Sequence, residues 1–152
     1  MTQQPKDMPI VVVTTKKQLQ DLIKETMALY GPECDLNFID VSQITDMSKL
    51  FVKSQFNGDI SQWDVSNVTN MCAMFFSSEF NGDISQWNVS KVKDMSYMFC
   101  GYGHETTKFP FDGDISRWDV SSVTNMSGMF GGCSSLQELN VGNWDTGQVT
   151  NM

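Results

Sequence analysis

The sequence predicts an α/β repeat solenoid: right-handed, leucine-rich-repeat-like coils of about 24 residues with short parallel strands, preceded by an N-terminal strand–helix cap. Three similar segments carry this prediction, FNGDISQWDVSNVTNMCAMF at 56–75, FNGDISQWNVSKVKDMSYMF at 80–99 and FDGDISRWDVSSVTNMSGMF at 111–130. Weaker copies at 34–51 and 141–152 flank them, and the last one is incomplete. The tryptophans at 63, 87, 118 and 144 are 24, 31 and 26 residues apart, which gives about five coils.

Each motif copy is expected to contain one short strand and then a short helical segment. We prefer a strand register in which Ile60, and its equivalents in the other copies, points inward, because the Asn57-Gly58 turn signal comes just before it. An alternative register centres the strand on residues 63–65. Apolar residues from Val68 to Phe75 are spaced as on one face of a short helix or 3₁₀ segment, with Thr69 as its N-cap.

Stacked motif copies would bury identical residue types in rows, which accounts for most of the tryptophan and methionine content as core. The rows are Ile39, Trp63, Trp87, Trp118 and Trp144; Met47, Met71, Met95, Met126 and Met152; and Phe51, Phe75, Phe99 and Phe130. Residues 1–33 do not repeat, so we divide the chain into a strand–helix cap at 1–33 and a solenoid at 34–152. In the cap we expect a strand at 10–13 and, after Thr14-Thr15, a helix at 16–29 that Gly31-Pro32 ends.

The composition excludes several classes of function. Ten basic and 18 acidic residues give a net charge of −8, which argues against nucleic acid and anionic membranes as partners. The chain has no apolar run long enough to span a bilayer, and residues 1–8 lack a signal-peptide pattern. We therefore expect a cytoplasmic protein, or a cell-surface protein if an export signal is missing.

Catalysis, cofactors and metals are not expected. The chain has a single histidine, no phosphate-binding loop and no paired metal-ligand spacing. Its four cysteines, at 34, 72, 100 and 133, lie far apart and are expected to be buried or half-buried free thiols.

The repeated unit, with tryptophan, Asp-Ile-Ser and Val-Thr-x-Met recurring together, resembles the BspA-like, mycoplasma-type leucine-rich-repeat family of bacterial surface proteins and lipoproteins. The resemblance covers roughly residues 34–152. It implies a non-enzymatic binding scaffold, adhesin-like in some members. The chain departs from that family in lacking a signal peptide or lipobox cysteine near its start.

Acidic residues form two rows along the motif copies. The first row is Asp35, Asp59, Asp83 and Asp114, and the second is Asp40, Asp64, Asn88, Asp119 and Asp145. Carboxylates stacked in this way either bind calcium or accept backbone N–H bonds in turns, as Asp64 would from Ser66 or Asn67. The nonapeptide signature of calcium solenoids is absent, which favours the turns.

The leading functional hypothesis is a protein-binding scaffold that uses the strand face and an insertion at 100–110. Small and acidic side chains on that face suit a basic or hydroxyl-rich partner. The candidate contacts are Asp59, Ser61, Asp83, Ser85, Asp114, Ser116 and Arg117 on the strand face, with Tyr102 and His104 in the insertion.

The alternative is a structural or self-associating module. If the fifth copy stops at Met152, it exposes the side chains that would face a next copy. These residues, Val141, Trp144, Val149 and Met152, are then expected to form an end-to-end homodimer.

Overall fold

A computed structural model describes residues 2–101, 110–133 and 140–152. Among these residues the regular elements are strand β1 (Val11–Val12), helix α1 (Lys16–Tyr30) and strand β2 (Ile39–Asp40). The two strands pair in parallel, with Val11 opposite Ile39 and Val12 opposite Asp40. The non-repeating N-terminal segment is thereby joined to the first motif copy by backbone hydrogen bonds.

Local sequence signals determine both ends of α1. The Thr15 hydroxyl accepts a hydrogen bond from the Gln18 N–H, and the Gln18 side chain accepts one from the Thr15 N–H, which forms a capping box. Gly31 ends the helix with φ at +94°, and its N–H donates to the Met27 carbonyl. The helix therefore starts at the predicted residue and runs one residue beyond its predicted end. Leu19 and Ile23 are buried on its inner face, as their spacing indicates.

The predicted solenoid of leucine-rich-repeat-like coils is wrong. Within the described ranges the structure has one helix and one two-stranded sheet, and the motif copies contain neither a further helix nor a further strand of two residues or more. In the first motif copy β2 lies at the positions of the alternative register, but it pairs with β1, and the other described copies have no strand in either register. Backbone pairing between motif copies instead consists of isolated single-residue parallel bridges. These bridges are Asp35–Asp59, Asp46–Asn70, Asn70–Asp94, Asp94–Asn125 and Asn125–Asn151.

Turns replace the predicted helical segment after Val68. Ala73 has φ at +53°, and a left-handed residue in the middle of residues 68–75 is incompatible with a right-handed helix. Thr69 does not cap a helix either, because its N–H and its hydroxyl both donate to the Thr45 carbonyl of the preceding motif copy. Frequent turns leave too few consecutive extended residues for strands to form.

Equivalent aromatic side chains of successive motif copies nevertheless lie in contact. The rings of Trp63 and Trp87 stack with centroids 6.5 Å apart. The phenylalanine row is continuous as well, with centroids 5.6–5.8 Å apart along Phe51, Phe75, Phe99 and Phe130. A second phenylalanine row, which the sequence analysis missed, runs beside it through Phe56, Phe80 and Phe111. Nearly parallel rings at these distances are a favourable offset-stacked arrangement, and they form the core.

Candidate protein-binding surfaces

Each aspartate of the first row closes a turn of its own. The Asp59 carboxylate accepts hydrogen bonds from the Ser61 N–H at 2.9 Å and from the Ser61 hydroxyl at 2.7 Å. Asp83 and Asp114 accept the equivalent N–H bonds, both at 2.9 Å. The backbone therefore holds these carboxylates in one orientation, as the turn interpretation of the row predicts.

The second row has the same geometry, and in it Asn88 takes the place of an aspartate. Its side-chain oxygen accepts the Ser90 N–H at 3.1 Å, just as Asp64 accepts the Ser66 N–H at 3.0 Å. An amide oxygen thus replaces a carboxylate in this turn without loss of the hydrogen bond.

A third row of turns was missed by the sequence analysis. Its side-chain oxygens accept the N–H two residues later, and its backbones make the bridges between motif copies. Asp and Asn alternate in it, so a search for charge alone does not find it. The row is Asp46, Asn70, Asp94 and Asn125.

Hydrogen bonding lowers the pKa of three first-row carboxylates, Asp59, Asp83 and Asp114. The Ser85 hydroxyl and N–H lower the pKa of Asp83, while the neighbouring charges of Asp59 and Asp114 oppose this effect. At Asp59, partial burial raises the pKa, but the hydrogen bonds of Asn37 and Ser61 together outweigh it, and the pKa is lowered. The pKa of Asp114 is lowered by Ser116 and further by the charge of Arg117. These three residues are therefore neighbouring negative charges at neutral pH.

The structure brings the predicted strand-face residues together on one surface, although no strand carries them. Asp59, Asp83, Asp114 and Arg117 are exposed, and Ser61, Ser85 and Ser116 are half-buried because they close the turns. Ile60 and its equivalents Ile84 and Ile115 are each only 1% exposed, so they anchor this surface to the core. Tyr102 and His104, the predicted contacts in the insertion, lie outside the described residues.

Three of the four predicted self-association residues line an apolar cavity, and Val149 is not part of that lining. Met126, Met129 and Phe130 line it together with Val141, Trp144, Thr146 and Met152, and its volume is about 290 Å³. Met152 is 81% exposed, whereas the equivalent Met71 and Met95 are fully buried. Trp144 keeps the hydrogen bond of its row, from its indole N–H to the Ile115 carbonyl at 3.2 Å. This surface therefore has the composition of the core but is partly open to solvent.

Reactive groups in the described part of the chain are few. Cys34, Cys72 and Cys133 are free thiols, and burial raises the pKa of Cys34 to about 11 and of Cys133 to about 12. No group of three or more histidine, cysteine or acidic side chains is positioned there to hold a metal ion. None of the helices in the described ranges is long and apolar enough to cross a membrane.

Comparison with known proteins relates the chain to one family. A family model described as a Mycoplasma protein of unknown function, DUF285, matches residues 17–109 and again residues 104–152. No curated protein and no solved structure matches the chain. The matched family is related, at the family level, to the BspA-like, mycoplasma-type repeat proteins that the motif resembles. Since the two matches together span most of the sequence, the chain belongs to the DUF285 family of Mycoplasma proteins of unknown function.

Proposed function

We propose that this chain is a non-enzymatic protein-binding module, which presents the first aspartate row to a basic, hydroxyl-rich surface of a partner protein. The observation that carries the proposal is the array of Asp59, Asp83 and Asp114, three exposed carboxylates held by the same turn above buried isoleucines. Charges fixed in advance lose little conformational entropy on binding, which favours affinity. Their shared sign selects for a cationic partner and against an anionic one.

The family relationship supports a more specific version of this proposal. The resemblance of the motif to BspA-like surface proteins implies an adhesin-like role at the bacterial cell surface. Turns anchored on a core of stacked aromatic rings support such a role, because a preorganised surface loses less conformational entropy on binding.

The experiment removes the charges of the row and keeps its turns. Asn88 accepts the same hydrogen bond as an aspartate, so the triple variant Asp59→Asn, Asp83→Asn, Asp114→Asn retains the geometry. Fluorescence polarisation with a labelled peptide of alternating lysine and threonine then measures binding at low and high salt. We expect the triple variant to bind at least ten-fold more weakly than the wild type, and the wild-type affinity to fall with salt.

A control with the same net charge separates the row from bulk electrostatics. Asp7, Glu25 and Glu33 are exposed and lie outside the row, and Asp7→Asn, Glu25→Gln, Glu33→Gln removes three negative charges as well. This control should bind like the wild type. Equal losses in the two triple variants would mean that the row has no special role, and the proposal would fail.

Self-association is the second candidate function, favoured by the apolar cavity around Trp144 and the exposure of Met152. A homodimer through Val141, Trp144, Val149 and Met152 would remove this surface from water. Light scattering should then give twice the mass of one chain, and Trp144→Lys should shift the protein toward monomer. Gln148→Lys, an exposed position in the same segment, is the matched control. A monomer at tens of micromolar that is indifferent to Trp144→Lys would exclude this dimer.

A further inference from the structure

An apolar groove of about 530 Å³ lies on the side of the motif copies that carries the left-handed turn residues. Its lining consists of Lys49, Val52, Cys72, Ala73, Phe76 and Tyr97. None of these residues belongs to the first two aspartate rows. The groove is therefore a surface of different chemistry from the one that carries the proposed function.

Three consecutive motif copies build the groove from equivalent positions. The Lys49 N–H donates to the Cys72 carbonyl at 2.9 Å, and the Ala73 N–H donates to the Ser96 carbonyl, next to Tyr97, at 2.8 Å. Residues 49, 73 and 97 thus lie side by side. Ala73 is 8% exposed, and its side chain is much shorter than the lysine and the tyrosine beside it in the lining. We call the resulting depression between the two long side chains the gap above Ala73.

The backbone at these positions is strained. Lys49, Ala73 and Tyr97 have φ of 58°, 53° and 56°, in the left-handed region that side chains disfavour. The equivalent residue of the next motif copy is Gly128, with φ at 59°, so glycine is compatible with this turn. Side chains kept at strained positions are held by their surroundings, and such positions cluster at ligand-binding sites.

The charge of the groove is opposite to that of the protein as a whole. Lys49 is the one charged residue in the lining, and no described residue forms an ion pair with it. A second lysine lies at the edge of the groove, because the backbone N–H of exposed Lys53 donates to the carbonyl of Phe76 in the lining. A lysine in an apolar lining, with a second exposed lysine at its edge, favours a ligand that is both acidic and apolar.

We propose that this groove binds an extended acidic segment of a partner protein. A leucine or aromatic side chain of that segment fills the gap above Ala73, between Val52 and Tyr97, and an adjacent carboxylate pairs with Lys49. Val52 and Tyr97 are 39% and 42% exposed without such a segment, so binding would remove apolar surface from water. The proposal is independent of the first aspartate row, because that row would bind a basic partner and the groove would bind an acidic one.

The test uses a fluorescein-labelled hexapeptide of alternating glutamate and leucine, measured by fluorescence polarisation at low salt. Lys49→Gln should weaken binding about two- to five-fold, the effect of losing one exposed ion pair. Ala73→Met should weaken it at least ten-fold by filling the gap. An unbranched side chain fits the backbone there, since Lys49 and Tyr97 adopt the same conformation. Tyr97→Ser removes a wall instead of filling the gap, and it should weaken binding as well.

Two controls test whether the changes in affinity are specific to the groove. Lys24→Gln makes the same charge change on the exposed surface of α1 and should leave the affinity unchanged. A peptide of alternating glutamate and serine should bind at least ten-fold more weakly than the leucine peptide. Circular dichroism of each variant establishes that it is folded. The proposal would be overturned if the wild type did not bind the leucine peptide. It would also be overturned if neither Ala73→Met nor Tyr97→Ser weakened binding, or if Lys24→Gln and Lys49→Gln weakened it equally.

Discussion

The indole N–H of Trp87 donates a hydrogen bond to the backbone carbonyl of Ile60, 3.1 Å away. Both residues are buried, so this bond joins two motif copies through the core. It also fixes the plane of the indole ring, which stacks on Trp63. Equivalent bonds join Trp63 to Leu36, Trp118 to Ile84 and Trp144 to Ile115.

Truncation of this tryptophan should be severely destabilising. Trp87→Ala removes a ring that packs on Trp63 and Phe75, and we expect a loss of about 3–5 kcal/mol in the free energy of unfolding, measured in urea. Trp87→Phe should cost less, because the Ile60 carbonyl still accepts the backbone N–H of Trp63 at 3.2 Å. The exposed neighbour Gln86→Ala should change stability by less than about 0.5 kcal/mol. A loss below about 1 kcal/mol in Trp87→Ala would contradict the buried tryptophan row.

The third row of turns gives a prediction that depends on one hydrogen bond. Asn70→Ala removes the acceptor of the Cys72 N–H and should cost about 1 kcal/mol in urea unfolding. Asn70→Asp should cost much less, because Asp46 and Asp94 accept the same bond at the equivalent positions. Equal losses in the two variants would mean that the side-chain oxygen is not what stabilises this turn.

Relief of backbone strain should stabilise the protein at Lys53. This exposed residue has φ at 53°, and a left-handed conformation costs about 1–2 kcal/mol for a residue with a Cβ. Lys53→Gly removes that cost but adds about 0.4–1 kcal/mol of unfolded-state entropy. We therefore expect a net gain in stability of up to about 1.5 kcal/mol in thermal or urea unfolding. Lys53→Ala is the control, because alanine keeps the Cβ. A gain in stability as large as that of Lys53→Gly would refute the strain argument.

Stability should fall in acid. Hydrogen bonds from the serine two residues later lower the pKa of Asp64, Asp83, Asp114 and Asp119 in the folded state. A lowered folded-state pKa contributes stability above the unfolded-state pKa, about 3.9, and this contribution is lost as pH falls through the folded-state value. The melting temperature should therefore be flat near neutral pH and drop below about pH 4.

The variant that removes first-row charges provides the comparison for this pH profile. Asp59→Asn, Asp83→Asn, Asp114→Asn retains the turns but cannot titrate at these positions, so its melting temperature should depend less on pH below about pH 4 than that of the wild type. Superimposable profiles for the two proteins would indicate that these carboxylates do not link folding to pH.

Local features of the fold were predictable because the signals that specify them are local. The helix α1 begins where Thr15 and Gln18 cap it and ends at Gly31, all of which lie within one turn of its ends. The aspartate turns are equally local, since each joins a side chain to the N–H two residues later. The acidic residues of these turns could be identified from the sequence because they recur in each motif copy.

The strands and helices assigned to the motif copies were wrong because periodicity does not specify backbone conformation. Apolar residues at 68, 71, 74 and 75 suit one face of a helix, but they suit a series of turns as well. The left-handed φ of Ala73 decides in favour of turns. The cost of that conformation is offset by backbone hydrogen bonds to a neighbouring motif copy, which no local pattern reveals.

The sequence by itself determined which residues recur, and therefore which side chains lie in the aromatic core and in the acidic rows. Only the tertiary structure decided how the backbone connects them, and it formed the groove around Ala73 from three segments 24 residues apart. The physical reason is the range of the interactions. Caps and side-chain turns are closed within a few residues, whereas single-residue bridges and a gap between Lys49 and Tyr97 exist only once distant segments have packed together.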